Sequence, residues 1–97
     1  MEDRTYYIIL YDYYGNLFTL KQKQYFEEYY FNNLSLSEVS ENYRLSRNAI
    51  HKQIKNIETK LLEYESKLKL YEKGLKLKQI IEQIDSEVLK KQLKELE

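Results

Sequence analysis

Apolar residues recur along this chain at steps of three and four, the spacing that gathers them on one face of an α-helix. Tyr7, Leu10, Tyr11 and Tyr14 make the first such face. The stretch "DRTYYIILYDYY", residues 3–14, is also rich in aromatic and β-branched side chains, which suit strands. No second strand follows for it to pair with, so it reads as a helix stopped by Gly15. Tyr25, Phe26, Tyr29 and Tyr30 form a second face behind Thr19 and Gln22, which stand three apart as a capping box requires. "FNNLS" closes that helix, with Asn32 or Asn33 suited to a left-handed conformation. Ser35 and Glu38 repeat the capping box ahead of a short helix that turns Leu36, Val39 and Tyr43 inward, and Ser46 caps a fourth helix.

The fourth helix is long. Ile50, Ile54, Ile57, Leu61, Tyr64, Leu68, Tyr71 and Leu75 alternate steps of four and three, an a/d heptad seam that Gly74 is expected to interrupt. From Arg47 to Lys73 such a helix would extend about 40 Å. Leu77, Ile80, Ile81, Ile84, Val88, Leu89, Leu93 and Leu96 make a further amphipathic stretch, with a break expected at Asp85-Ser86. The expected fold is all-α, a helix-turn-helix bundle over residues 1–60 continuing into a helical extension over 61–97, as one domain. Leu61, Tyr64, Leu68 and Tyr71, with Ile80 and Ile84, present more apolar surface than the extension can cover alone, at about 1.5–3 kcal/mol for each large side chain left in water. A homodimer through this half is therefore expected, whether residues 76–97 fold back on their own chain or cross to another.

Ninety-seven residues allow one domain with a modest core. Sixteen basic and sixteen acidic side chains cancel, but their distribution is uneven. Residues 1–43 carry three basic and seven acidic groups, residues 44–60 carry five basic (Arg44, Arg47, Lys52, Lys55, Lys60) against Glu58 alone, and residues 61–97 carry eight of each. Positive charge thus concentrates just after the turn between the third and fourth helices. The absence of cysteine excludes disulfides and thiolate chemistry and fits a reducing cytosol. Tyr6–Tyr11 is the longest apolar or aromatic run, too short to span a membrane, and Glu2 and Asp3 carry the wrong charge for a signal peptide. A cytoplasmic protein is expected.

"LSLSEVSENYRLSRNAIHKQIKNIETKL", residues 34–61, has the layout of a helix-turn-helix. Val39 would face inward, Ser40 would be small where the helices cross, Leu45 would plug the turn, and Ile50 and Ile54 would be buried. Arg47, Asn48, His51, Lys52 and Lys55 then lie on the exposed side of the fourth helix. Arg and Asn suit bidentate contact with guanine and adenine, and Lys55 suits a phosphate. The same pattern also describes a solvated basic face on an ordinary bundle helix.

Residues 6–75 resemble the YlxM family of small helix-turn-helix proteins of low-GC Gram-positive bacteria and mollicutes, in the blocks "TLKQ", "YY" at 29–30, "LSLSE", "SRNAI" and "ETKLLEYESKL". The segment is similar, more loosely, to region 4 of bacterial sigma factors. The resemblance implies a cytosolic regulator that binds DNA, with Ser46, Arg47, Ala49 and Ile50 opening the recognition helix. It also implies a link to the signal recognition particle, whose protein or RNA an adaptor of this kind could bind without reading bases. Two positions depart from the family pattern. Arg44 stands where Gly or Asn is usual, at a cost of roughly 1 kcal/mol if its φ is positive, and His51 stands where an aromatic Tyr is usual.

The remaining candidates have plainer readings. His51 is the only histidine and has no companions for a metal site. Glu27 and Glu28 are adjacent on a helix and point apart; they and the charges of 61–97 read as solvated faces. The eleven tyrosines recur mostly at core spacing, so their hydroxyls should sit at the rim of a tyrosine-rich core. No nucleophile or phosphate loop accompanies any of these, so no enzyme and no cofactor is expected.

Overall fold

The computed structural model describes residues 3–97. Among them the order is α1 (Asp3–Tyr14), a 3-10 turn (Gly15–Leu17), α2 (Leu20–Tyr30), α3 (Leu36–Tyr43), α4 (Arg47–Leu68), α5 (Leu70–Glu82) and α6 (Glu87–Lys94), with no strand. The starts of α2, α3, α4 and α6 follow the sequence signals. Thr19 and Ser35 each accept from the amide three residues on, and Gln22 and Glu38 return the bond, completing both capping boxes. Ser46 caps α4 through the amide of Ala49, and Ser86 caps α6 through that of Leu89. Asn33 and Arg44 take the left-handed conformation at the two turns that needed it.

Helices α1, α2 and α3 pack around the first two-thirds of α4. Leu10, Phe26, Val39, Ile50, Ile57 and Leu61 are fully buried at their junction. Tyr11 stacks on Phe26 with centroids 4.1 Å apart, and Phe26 stacks on Tyr30 at 4.3 Å. Arg4 fastens α1 to the end of α2, donating to the carbonyls of Tyr29 (2.9 Å) and Tyr30 (3.1 Å) and to Asn33 Oδ1 (3.0 Å). Those carbonyls are unpaired by the helix itself, so a cation there also meets the negative end of the helix dipole.

Four tyrosines of the bundle give their hydroxyls to carboxylates rather than to water. Tyr11 donates to Glu27 (2.7 Å), Tyr14 to Glu65 (2.6 Å), Tyr30 to Glu58 and Tyr43 to Glu28. Each bond joins a different pair of helices: α1 to α2, α1 to α4, α2 to α4 and α3 to α2. Glu27 and Glu28 do point apart, but each receives a tyrosine from a different side, and neither is simply solvated. Glu65, expected on the solvated face of the extension, is buried.

The largest departure from the sequence reading is where the long helix ends. Gly74 does not stop it; Gly74 lies in the middle of α5, and its φ is not positive. The break falls at Lys69, in the left-handed conformation at φ 56 and ψ 34, with no glycine, asparagine or proline to announce it. The cause lies four residues earlier. The Glu65 carboxylate accepts from the amides of Tyr71 (3.1 Å) and Glu72 (3.2 Å), while Tyr14 Oη accepts from that of Leu70 (3.0 Å). Three of the orphan donors at the start of α5 are thereby satisfied, two of them by a negative group at the positive end of the helix and one by a hydroxyl. Lys69 supplies no side-chain cap of its own.

Gly74 serves close packing instead. A Cβ there would come within 2.9 Å of Tyr13 Oη, where α5 crosses α1. Past this crossing α5 and α6 lengthen the molecule, and Leu96 and Glu97 return to line a groove with Tyr13, Leu70 and Gly74. The chain measures 55 × 24 × 24 Å and its radius of gyration is 17.1 Å, against about 12.5 Å for a compact domain of this length. In α5 only Ile81 is buried, and α6 buries no residue fully.

Because Gly74 is an interior helical residue, Gly74→Ala should stabilise the protein by about 0.5–1 kcal/mol. The added methyl meets only the end of the Tyr13 side chain, which is part-exposed and can swing aside. A lowered melting temperature would show that the close crossing outweighs helix propensity.

The tyrosine bonds make a second prediction. Burial first, then the carboxylate partner, pushes Tyr14 and Tyr43 up to about 12, and raises Tyr11 and Tyr30 as well. In the unfolded chain these phenols titrate near 10. Between those values the native state holds protons that the unfolded state has released, so the stabilisation is complete below about pH 10 and is lost as pH rises through about 12. Thermal unfolding should show a melting temperature that is level from neutrality to about pH 9.5 and falls steeply above it. A level profile to pH 11.5 would contradict the bonds.

Candidate nucleic-acid interface

Helices α3 and α4 form the helix-turn-helix. Val39 and Ser40 are the buried residues of α3, and the Ser40 hydroxyl bonds back to the carbonyl of Ser37 at 2.6 Å. That internal bond lets a polar residue sit at the helix crossing without an unsatisfied group. The chain then turns through Arg44 at φ 55 and ψ 39. The turn closes when the Leu45 amide reaches the Ser40 carbonyl at 3.0 Å. A left-handed residue gives the sharp reversal that this motif needs, at roughly 1 kcal/mol for a side chain with a Cβ. Leu45 does not plug the turn as expected; it is 42% exposed. Supporting helix and bundle are tied instead through Glu28, which accepts from Tyr43 Oη and from Asn42 Nδ2 (2.7 Å).

With Ile50, Ile54 and Ile57 buried, the opposite side of α4 is fixed. Arg47, Asn48, His51, Lys52 and Lys55 are all exposed. At 100° per residue they fall within an arc of about 140°, so the structure brings the five together on one face of the recognition helix. Arg44, also exposed, adds a cation just before the helix begins.

The face is not uniform. Lys55 Nζ lies 3.3 Å from Glu58 Oε1, and Glu58 is buried apart from that edge. Glu58 also accepts the Tyr30 hydroxyl. The spacing of three between Lys55 and Glu58 permits this pair on any helix; that Glu58 is buried is visible only in the structure.

The six residues expected at a dimer contact have different places. Leu61 is fully buried in the chain's own core and faces no partner; the four-helix junction extends one turn past residue 60. Tyr64 is half-buried against Tyr14 and Phe18, with centroids 5.8 Å from each. Tyr71 is half-buried against Tyr6 (6.0 Å) and Tyr13 (6.1 Å). Leu68 and Ile80 are exposed and Ile84 is half-buried. The buried residue of α5 is Ile81, next along from the exposed Ile80.

Since the Ser46 hydroxyl holds the first turn of this helix, Ser46→Ala should lower stability by about 1 kcal/mol. Chemical denaturation would measure it, and an unchanged midpoint would mean that the cap contributes nothing.

Comparison with known proteins agrees with this geometry. A family model described as "Putative helix-turn-helix protein, YlxM / p13 like" matches residues 1–97. A UPF0122 protein of Malacoplasma penetrans is 44% identical over 89 residues, covering 92% of this chain and 83% of the relative. One from Geobacillus is 41% identical over 82 residues, covering 84% and 74%. The YlxM protein of Bacillus subtilis is 45% identical over 56 residues, covering 58% and 51%. The chain belongs to the UPF0122 family of YlxM / p13-like helix-turn-helix proteins.

Proposed function

We propose that this protein is a DNA-binding regulator that lays the first half of α4 in the major groove and acts as a homodimer on a two-fold related site. The observation that carries this reading is the single exposed arc of Arg47, Asn48, His51, Lys52 and Lys55 on the second helix of a helix-turn-helix. Residues 44–60 hold five cations against one acid, which gives that face a local positive field on a chain of zero net charge. Arg47 and Asn48 lie in the first turn, where side chains of a recognition helix reach base edges. Lys52 and Lys55 lie further on, toward the backbone. Exposed Leu68 and Ile80 favour a second copy at the C-terminal half.

Arg47→Ala should weaken binding by roughly 1–3 kcal/mol and relax preference at one base pair, while Lys52→Ala should weaken all sequences alike and reduce the salt slope by about 1. Lys55→Ala should weaken binding less than Lys52→Ala, because Lys55 is already paired with Glu58, and should also lower stability by stripping the buried Glu58 of its cation. Binding selected from a mixed pool of random duplex DNA and structured RNA, then titrated against salt for each variant, separates these effects. Equal, sequence-blind losses for Arg47 and Lys52, or selection of structured RNA over duplex, would refute base readout and leave the adaptor reading.

A further inference from the structure

The seam of α4 is written for a longer helix than the one that forms. Its four–three spacing runs without a fault from Ile50 through Leu68, Tyr71 and Leu75, yet the backbone turns at Lys69. The turn takes the seam's end off its line, and Leu68 and Leu75 stand exposed at 46% and 44%. Nothing local favours the bend. Lysine is a good helix former and takes positive φ only under strain. What holds the bend is the bonding of Glu65 and Tyr14 to the first amides of α5.

The segment beyond the bend is lightly attached. Helix α5 meets the bundle at α1, through Tyr71 against Tyr6 and Tyr13 and through Gly74 against Tyr13. None of these contacts requires that α1 and α5 belong to the same chain. If Lys69 became helical, the amides of Leu70, Tyr71 and Glu72 would pair with carbonyls four residues back, while Glu65 would keep the Tyr14 hydroxyl and lose both amides, a cost that the contacts between two copies must offset. One helix from Arg47 to Glu82 would result, about 54 Å long, with Leu68 and Leu75 back on the stripe of Leu61 and Tyr64. Its α5–α6 portion would be carried away from its own α1.

We infer that Lys69 is an exchange hinge: the dimer forms when two chains straighten at Lys69 and each seats its α5–α6 on the α1 of the other. The occupant of the vacated α1 surface is a second copy, because that surface already fits α5 and because exchange adds the Leu68 and Leu75 contacts to those kept from the monomer. This inference rests on the two-fold reading above and specifies how the dimer is made.

The chain has no cysteine, which makes the test direct. A Tyr13→Cys, Gly74→Cys variant places two thiols where α1 and α5 cross, and the removed Tyr13 side chain is all that a Cβ at residue 74 would approach within 4 Å. A short thiol-bridging reagent should yield interchain dimers, and adding Lys69→Gly should reduce their yield about tenfold or more, since glycine favours the bend and disfavours the straight helix. Sedimentation of both proteins fixes the oligomeric state before bridging. A dimer by sedimentation that bridges only within each chain would overturn exchange while leaving the two-fold reading intact. A monomer that bridges only within the chain would overturn exchange and dimer together, and leave DNA contact by α4 to its own titration. Interchain bridging that Lys69→Gly does not diminish would remove Lys69 as the hinge.

Discussion

A carboxylate removed from water must be fully hydrogen-bonded or it costs several kcal/mol, and the shape of this protein turns on how Glu65 meets that condition. Among the described residues no cation pairs with it. It accepts hydrogen bonds from the Tyr14 hydroxyl and from two amides at the start of α5, and Tyr14 accepts a third amide in turn. One side chain of α4 thereby sets the position of α1, ends its own helix and aims the next. Every residue past 69 is placed by this cluster. It also accounts for a left-handed lysine that has no local reason to exist.

The same device, a tyrosine hydroxyl donating a hydrogen bond to a glutamate of another helix, recurs around the core. A small all-helical bundle built on leucine would bury as much apolar surface without tying its helices in one arrangement, since dispersion and hydrophobic contact have little direction. Tyrosine adds a polar end that must be satisfied when buried. With four carboxylates receiving four hydroxyls between different helix pairs, a slipped helix would leave both partners of a bond unpaired. The specificity of the fold therefore comes largely from the rim, and the cost is sensitivity to anything that ionises phenols.

These relations decide what could be read from the sequence. Signals that act within a few residues were legible: the capping boxes at Thr19 and Ser35, the cap at Ser46, a left-handed residue at Asn32 or Asn33, the inward Val39, Ile50 and Ile54; the left-handed Arg44 was marked only by the family resemblance. From them the helix-turn-helix and its exposed basic face followed, and the family resemblance agreed with both. What could not be read was set by partners distant in sequence. Glu65 is bonded by a tyrosine 51 positions earlier, so at its own position it resembles any charged residue of an amphipathic helix. Gly74 looked like a stop because glycine usually is one near a helix end, but its neighbour is Tyr13, far back in α1. Leu61 belonged to a seam whose near half is core and whose far half is surface, and periodicity does not mark where one becomes the other.

The candidate interface is also less independent of the core than its exposure suggests. Lys55 is the outer end of a chain of contacts that passes through buried Glu58 to Tyr30 on α2. A phosphate that drew Lys55 outward would leave Glu58 with the tyrosine alone, so part of the attraction would be spent on the loss of an internal ion pair. Lys52, one turn back, is on the outer arc and carries no such debt among the contacts described. Two lysines three residues apart on one helix face thus offer a polyanion unequal terms, and the difference arises from a carboxylate that the polyanion never touches.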